Sequence, residues 1–185
     1  MGKSPNSFIA KLVPNNYQYP KNTIRSFSYK NINLKLDIHD YIGHFIYFGY
    51  KDLGHEKLME LIKPNNIIID VGANYGTTIL QFASLIGGNG RVFGFEPDPT
   101  NFEICNQNIK LNLFKNILVE NLGLGNQQIT TSLVVDTDSN RGGNRISSNI
   151  NNKEAHLINV VKFDDWILQK NISKILDCKV LDRTN

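Results

Sequence analysis

The apolar positions of this chain change period along its length, and each change marks an element. Ile32, Leu34, Leu36 and Ile38 alternate with Asn33, Lys35 and Asp37, which predicts a half-buried strand. Tyr41, Phe45, Tyr47, Phe48 and Tyr50 then cluster around Gly43 and Gly49, a pattern open to a strand pair or to a strand with a short helical turn. Such a cluster either caps the sheet or walls a substrate. Glu56 to Ile62 has helical spacing with Leu58, Met59 and Ile62 on one side, and Pro64-Asn65-Asn66 turns the chain into a continuous apolar run, Ile67-Ile68-Ile69. Beyond a glycine-containing turn, Ile79, Phe82, Ala83 and Ile86 stand at i, i+3, i+4 and i+7, so Thr77 to Ile86 is a helix with one buried face. Gly87-Gly88-Asn89-Gly90 ends it with residues that accept positive φ.

The alternation of strand and helix continues. Val92 to Glu96 reads as a second strand stopped by Pro97, and Thr100-Asn101-Phe102-Glu103 predicts a capping box opening the next helix. Phe102, Cys105, Ile109 and Leu113 form that helix's inner face, which makes Cys105 a core residue rather than a nucleophile. Asn116 to Asn121 is a third strand with Leu122-Gly123-Leu124-Gly125 as its exit, and Ile129 to Val135 alternates as another. Asp136 to Asn152 is polar throughout, either a solvated loop or an active-site lid, and residues 1 to about 22 read as a loose arm. Strands alternating with helices predict an α/β fold on a parallel sheet.

The turn after the first strand carries the chemistry. In an open α/β sheet a ligand binds outside the carboxyl ends of the strands, against the turn and the following helix N-terminus. A dinucleotide fingerprint needs G-x-G-x-x-G, whereas the spacing here is Gly72-x-x-x-Gly76, with Asp70 two residues ahead of the first glycine. That carboxylate repels a pyrophosphate and suits a cationic ligand such as a sulfonium, so the turn fits S-adenosylmethionine better than NAD. Glu96, at the second strand's end, is placed to accept both hydrogen bonds of a ribose diol. Asn121 and Leu122, at the third strand's end, are candidates for the adenine edge and face.

Composition narrows the setting. A chain of 185 residues, 41% apolar and 20% charged, suits one globular domain, divided here into an arm and β extension over 1–60 and a cofactor domain over 61–185. The net charge of +3 with no run of five Lys or Arg argues against a nucleic-acid partner. No segment is long and apolar enough for a membrane span, and Cys105 and Cys178 read as free thiols of a reducing, cytoplasmic setting. His39, His44, His55 and His156 give no metal or catalytic pattern, and no catalytic residue is nominated.

Asp70-Val71-Gly72-Ala73-Asn74-Tyr75-Gly76, Phe95-Glu96-Pro97-Asp98-Pro99 followed by Asn101-Phe102, and Asn108-Ile109-Lys110-Leu111-Asn112 together resemble the FkbM-type S-adenosylmethionine-dependent methyltransferases. Asn140-Arg141-Gly142-Gly143, Val161-Lys162-Phe163-Asp164-Asp165-Trp166 and Ile46-Tyr47-Phe48-Gly49 are similar to that family too, so the resemblance runs from about residue 36 to 170. It implies a Rossmann-like class I methyltransferase three-layer sandwich and O-methylation of a hydroxyl on a sugar, glycan or other small molecule. Asp70, Gly72, Asn74 and Gly76 would surround the methionine part and Glu96 the ribose. With Ala73, Thr77, Pro97, Asn121 and Leu122, these complete the expected cofactor set.

The end of the chain departs from the family, whose members continue with a strand of the form Lys-x-Asp-x-Glu-Gly. Lys174-x-x-Asp177 and Lys179-x-x-Asp182 are each one residue too long, and no Glu-Gly follows. The expectation is therefore a sandwich truncated at its C-terminus, with an exposed sheet edge that could pair two copies into a homodimer. Two functions follow: an active small-molecule O-methyltransferase, or a non-catalytic remnant that binds a nucleoside or another protein.

Overall fold

The computed structural model describes residues 12–49, 53–135, 139–147, 155–172 and 180–182. The chain opens with an antiparallel hairpin, β1 (Ile24–Tyr29) and β2 (Ile32–Asp37), followed by helices α1 (Tyr41–Tyr47) and α2 (Leu53–Glu60). The central unit is β3 (Ile67–Val71), α3 (Thr77–Ile86), β4 (Arg91–Phe95), α4 (Pro99–Lys110) and β5 (Ile117–Glu120). Short strands β6 (Gly123–Gly125), β7 (Ile129–Val134), β8 (Arg145–Ser147) and β9 (Ala155–Lys162) come next, then α5 (Phe163–Gln169) and β10 (Val180–Asp182).

The central sheet is parallel, in the order β10-β3-β4-β5. Its strands are continuous apolar runs because both faces are covered. Ile68 and Val92 face a layer containing Ile79, Phe82, Ala83 and Ile86 of α3 and Cys105 of α4, while Ile69, Phe93 and Phe95 face Trp166 of α5. Helix, sheet and helix make the three-layer α/β sandwich expected of a Rossmann-like fold. Gly94 lets α3 lie close, since a Cβ there would overlap Ile79 Cδ1.

Chain order reverses at β3: β4 and β5 step away on one side, and β10 lies on the other. The turn after β3 therefore sits at a topological switch point, where open α/β sheets bind ligands. In β10, Leu181 is opposite Asp70 and Asp182 opposite Val71. A strand thus occupies a place where the departure of the C-terminal sequence led us to expect none, and Asp182 stands at its carboxyl end beside the switch point. Asp177 lies outside the described residues.

A second sheet, ordered β6-β9-β7-β8, follows β5 and has its own small core of Leu133, Ile158 and Val160. Part of the polar stretch at 136–152 therefore becomes strand β8, paired with β7 through Ile146 and Leu133. The exit after the third strand likewise becomes β6, parallel to β9.

Local details settle or change several readings. Tyr41–Tyr47 is helical because buried Asp40 caps it, accepting the Ile42 and Gly43 N–H groups at 3.0 and 3.2 Å. The cap of α4 is Asp98, which accepts Asn101 N–H at 2.8 Å with Pro99 in the first turn, so Thr100 is already helical. Of the expected inner face, Cys105 is fully buried and Ile109 packs on the core, but the helix also buries Asn101 and Asn108, and Leu113, beyond its end, is 97% exposed. Strand β1 had no periodic signal, because it is largely exposed on both faces. The arm is tethered where it is described: the Asn16 amide donates to the His39 and Ser139 carbonyls at 2.9 and 3.0 Å.

Candidate cofactor site

Residues 72–76 leave β3, fold over the end of β4 and enter α3. Gly72 and Ala73 N–H both donate to the Phe95 carbonyl, at 2.9 and 3.0 Å. The turn needs φ of 84° at Gly72, 47° at Asn74 and 79° at Gly76, a left-handed conformation that glycine and asparagine adopt at least cost. At Gly76 a Cβ would also approach Cys105 Sγ to 2.8 Å, so the close seat of the turn on α4 requires glycine twice over. Above Gly72 there is open space within 4 Å, leaving bare backbone for a ligand.

Glu96 ties the turn to the end of β4. Its Oε2 accepts Asn74 N–H at 2.7 Å and its Oε1 accepts Asp98 N–H at 3.0 Å. A carboxylate has about four acceptor positions, so each oxygen keeps one for a ligand hydroxyl. Burial, reinforced by the Asp98 and Asp70 carboxylates, pushes the Glu96 carboxyl up to about 7 against the pull of those two N–H groups. Asp70, Glu96 and Asp98 are all buried at this mouth, an arrangement that a cationic ligand stabilises. The residues present therefore fit a positively charged nucleoside: open backbone at Gly72, free acceptor capacity on Glu96 and clustered negative charge.

These observations bring together Asp70, Gly72, Ala73, Asn74, Gly76, Thr77, Glu96 and Pro97 around one turn. The other two expected residues sit differently. Asn121 donates its amide to the Glu96 and Pro97 carbonyls at 2.8 and 3.1 Å, so its nitrogen fixes the strand end and only its oxygen is left for an adenine edge. Leu122 packs with the Phe93, Phe95 and Trp166 cluster between sheet and α5.

A family model described as "Methyltransferase FkbM domain" matches residues 70–179, more than half of the chain. The chain belongs to the FkbM methyltransferase family. No curated protein matches it. Among solved structures, M. jannaschii TYW2 in complex with AdoMet aligns at 24% identity over 55% of this chain and 44% of that one, with a TM-score of 0.42. P. horikoshii TYW2 in complex with MeSAdo aligns at 22% over 57% and 38%, with a TM-score of 0.43. A SAM dependent methyltransferase from Aquifex aeolicus aligns at 17% over 44% and 43%, with a TM-score of 0.35. The chain thus spans less than half the length of each of these proteins. S-adenosylmethionine is the cofactor of this methyltransferase family.

Several residues of the site were missed from sequence. Asp98 accepts Asn144 Nδ2 at 3.2 Å and His156 Nδ1 at 3.1 Å, linking α4 to the second sheet. Asp40 accepts Arg141 N–H at 2.8 Å, so the 139–145 segment is pinned by one buried carboxylate near each end. Asp98 could have been found from Asp-Pro at a helix start. The pairing of His156 carries no local signal, because its partner is 58 residues away.

Proposed function

We propose that the chain transfers a methyl group from S-adenosylmethionine to a hydroxyl oxygen of a sugar, glycan or other small molecule. The observation that carries this reading is the hydrogen bond from Asn74 N–H to Glu96 Oε2 at 2.7 Å, which joins the expected methionine turn to the expected ribose carboxylate at the switch point. When bound, the cofactor supplies a methyl group on a sulfonium that departs as a thioether. The protein's work is then alignment: Glu96 takes the ribose hydroxyls, the open backbone at Gly72 receives the amino-acid end, and buried Asp70 holds negative charge beside the cation. Asn121 supports the adenine side through its carboxamide oxygen.

The second sheet and the 139–145 segment supply the acceptor side, since both are anchored at Asp98, two residues from Glu96. The mild charge of +3 favours a neutral small-molecule or glycan acceptor over nucleic acid. Among the described residues no helix is long and apolar enough to cross a membrane.

The test is isothermal titration with S-adenosylhomocysteine, followed by methyl transfer from labelled cofactor to panels of glycans, hydroxylated metabolites and total RNA. Binding plus a labelled glycan or metabolite supports the reading. Absence of binding overturns it. Label found only in RNA replaces the acceptor class, and binding without transfer to any panel leaves a nucleoside-binding domain.

A further inference from the structure

The hairpin β1–β2 is not part of either larger sheet. One edge of β2 pairs with β1, with Lys35 opposite Ser26 and Asn33 opposite Ser28. The other edge is read by two asparagines of the α4 end. Asn112 accepts Asn33 N–H at 2.9 Å and donates to the Asn33 carbonyl at 2.9 Å. Asn108 accepts Lys35 N–H at 2.8 Å.

The spacing explains why this works. Four residues of α-helix rise about 6 Å and two residues of strand about 6.6 Å, so an Asn-x-x-x-Asn pair meets every second residue of a strand running alongside. Side chains here take the place of a neighbouring strand.

The two asparagines differ in one respect. The Asn112 amide also returns to the Asn108 carbonyl at 2.7 Å, within its own helix end. The Asn108 amide instead donates to the Tyr75 carbonyl at 2.9 Å, in the turn that joins Asn74 to Gly76. Asn108 is 0% exposed, and its orientation is fixed by its partners, because Lys35 N–H can only donate and the Tyr75 carbonyl can only accept. One buried carboxamide therefore bridges the hairpin and the cofactor turn. Tyr75 doubles the link, since its ring packs against Ile32, Leu34 and Leu36 of β2.

We propose that Asn108 is a positioning residue that couples docking of the N-terminal hairpin to the shape of the cofactor turn, so that hairpin attachment and cofactor binding strengthen each other. This rests on the turn being the S-adenosylmethionine site. Coupling of this kind is reciprocal: whatever the hairpin does for the cofactor, the cofactor does for the hairpin.

The experiment uses the full chain with S-adenosylhomocysteine as probe, combining titration calorimetry with amide hydrogen exchange. In the unmutated protein the ligand should slow exchange of the β2 peptide containing Lys35. Asn108→Asp keeps the acceptor for Lys35 N–H but sets an oxygen against the Tyr75 carbonyl, and Asn108→Ala removes both bonds. Each should weaken binding about tenfold, the size expected when a buried carbonyl loses its donor, and should abolish the ligand's effect on β2 exchange. Asn112→Ala should lower the melting temperature but weaken affinity clearly less than the Asn108 variants, because Asn112 holds the same strand without touching the turn.

Equal affinity in the Asn108 variants, or a loss in Asn112→Ala as large as theirs, overturns the assignment of the coupling to Asn108. So does an unmutated protein that binds the ligand with no change at β2, a result that needs no variant to fold. If the unmutated protein does not bind at all, the functional reading fails together with this one.

Discussion

The central sheet and the second sheet meet at the same buried carboxylates, but they hold them in different ways. Around β3 and β4 the polar groups are set by backbone: Glu96 takes two main-chain N–H groups, and the turn hangs from the Phe95 carbonyl. Around β8 and β9 the ties are side chain to side chain, Asn144 and His156 to Asp98. Backbone ties tolerate almost no change of shape, while side-chain ties can be exchanged one at a time. The contrast separates a fixed half around the turn from an adaptable half around the second sheet, the proposed acceptor half.

The strongest way to break that comparison is to change one position in each sheet. Gly94→Val puts a side chain into Ile79 Cδ1, with Val119 Cγ2 at 3.3 Å and Ala73 Cβ at 3.4 Å leaving no room to yield. Thermal unfolding should show a loss of about 3 kcal/mol, at the upper end for overpacking. Leu157→Thr in β9, at a side chain 74% exposed, should change stability by less than about 0.5 kcal/mol. Comparable losses at the two positions would remove the distinction.

Next in size is Glu96→Gln, which keeps the shape but turns an acceptor-only carboxylate into a group that must present N–H to Asn74, Asp98 or the ribose. Titration should show S-adenosylhomocysteine binding about a hundredfold weaker, the loss expected for charge-assisted hydrogen bonds in a buried site. Binding within a factor of three of the unmutated protein would move the ribose away from Glu96.

The same residue sharpens the comparison through pH, with two opposite signs. Its carboxyl is raised from 4.5 to about 7. A raised pKa favours the folded state below the unfolded value, and that advantage is lost as pH climbs through the folded one. Between pH 4.5 and 7 the ligand-free protein should therefore lose about 3 kcal/mol of stability through this group. Ligand binding runs the other way, because only the ionised carboxylate accepts two ribose hydroxyls. Affinity for S-adenosylhomocysteine should rise about tenfold from pH 6 to pH 8 if one group titrates at 7. Both slopes should vanish in Glu96→Gln, and a stability slope of the same sign as the binding slope would refute the assignment.

How much of this was legible follows the same division. β3, α3, β4 and the turn are written in adjacent residues, so Asp70, Gly72, Asn74 and Gly76 and the face of Ile79, Phe82, Ala83 and Ile86 are found where periodicity and glycine spacing put them. Glu96 was legible as a strand end, but its grip on Asn74 was not, because that contact crosses 22 residues. In the second sheet β7 was legible as the alternation from Ile129, but its surroundings were not: β6 and β8 have three residues each, and the partner of β7, β9, lies far along the chain. In α4 the expected apolar face keeps Cys105 and Ile109 but shares its burial with Asn101 and Asn108, and the Asn108 carboxamide is buried because the Lys35 N–H and the Tyr75 carbonyl await it. A hydrophobic pattern cannot announce a buried amide.

The smallest effect belongs to the second sheet. His156→Ala deletes an imidazole whose side chain is 38% exposed from a carboxylate that is 3% exposed. Asp98 would still hold Asn101 N–H at 2.8 Å and Asn144 Nδ2 at 3.2 Å, so no buried charge is stranded. The loss should be about 0.5 kcal/mol, within the range for partly exposed ion pairs, and S-adenosylhomocysteine affinity should stay within about twofold, because Glu96 keeps both of its N–H donors. Hydrogen exchange should nevertheless quicken in β9, whose only described side-chain tie to α4 is this one. A larger fall in affinity than in stability would show that the second sheet shapes the cofactor pocket as well, and the line drawn between the two halves would have to move to include β9.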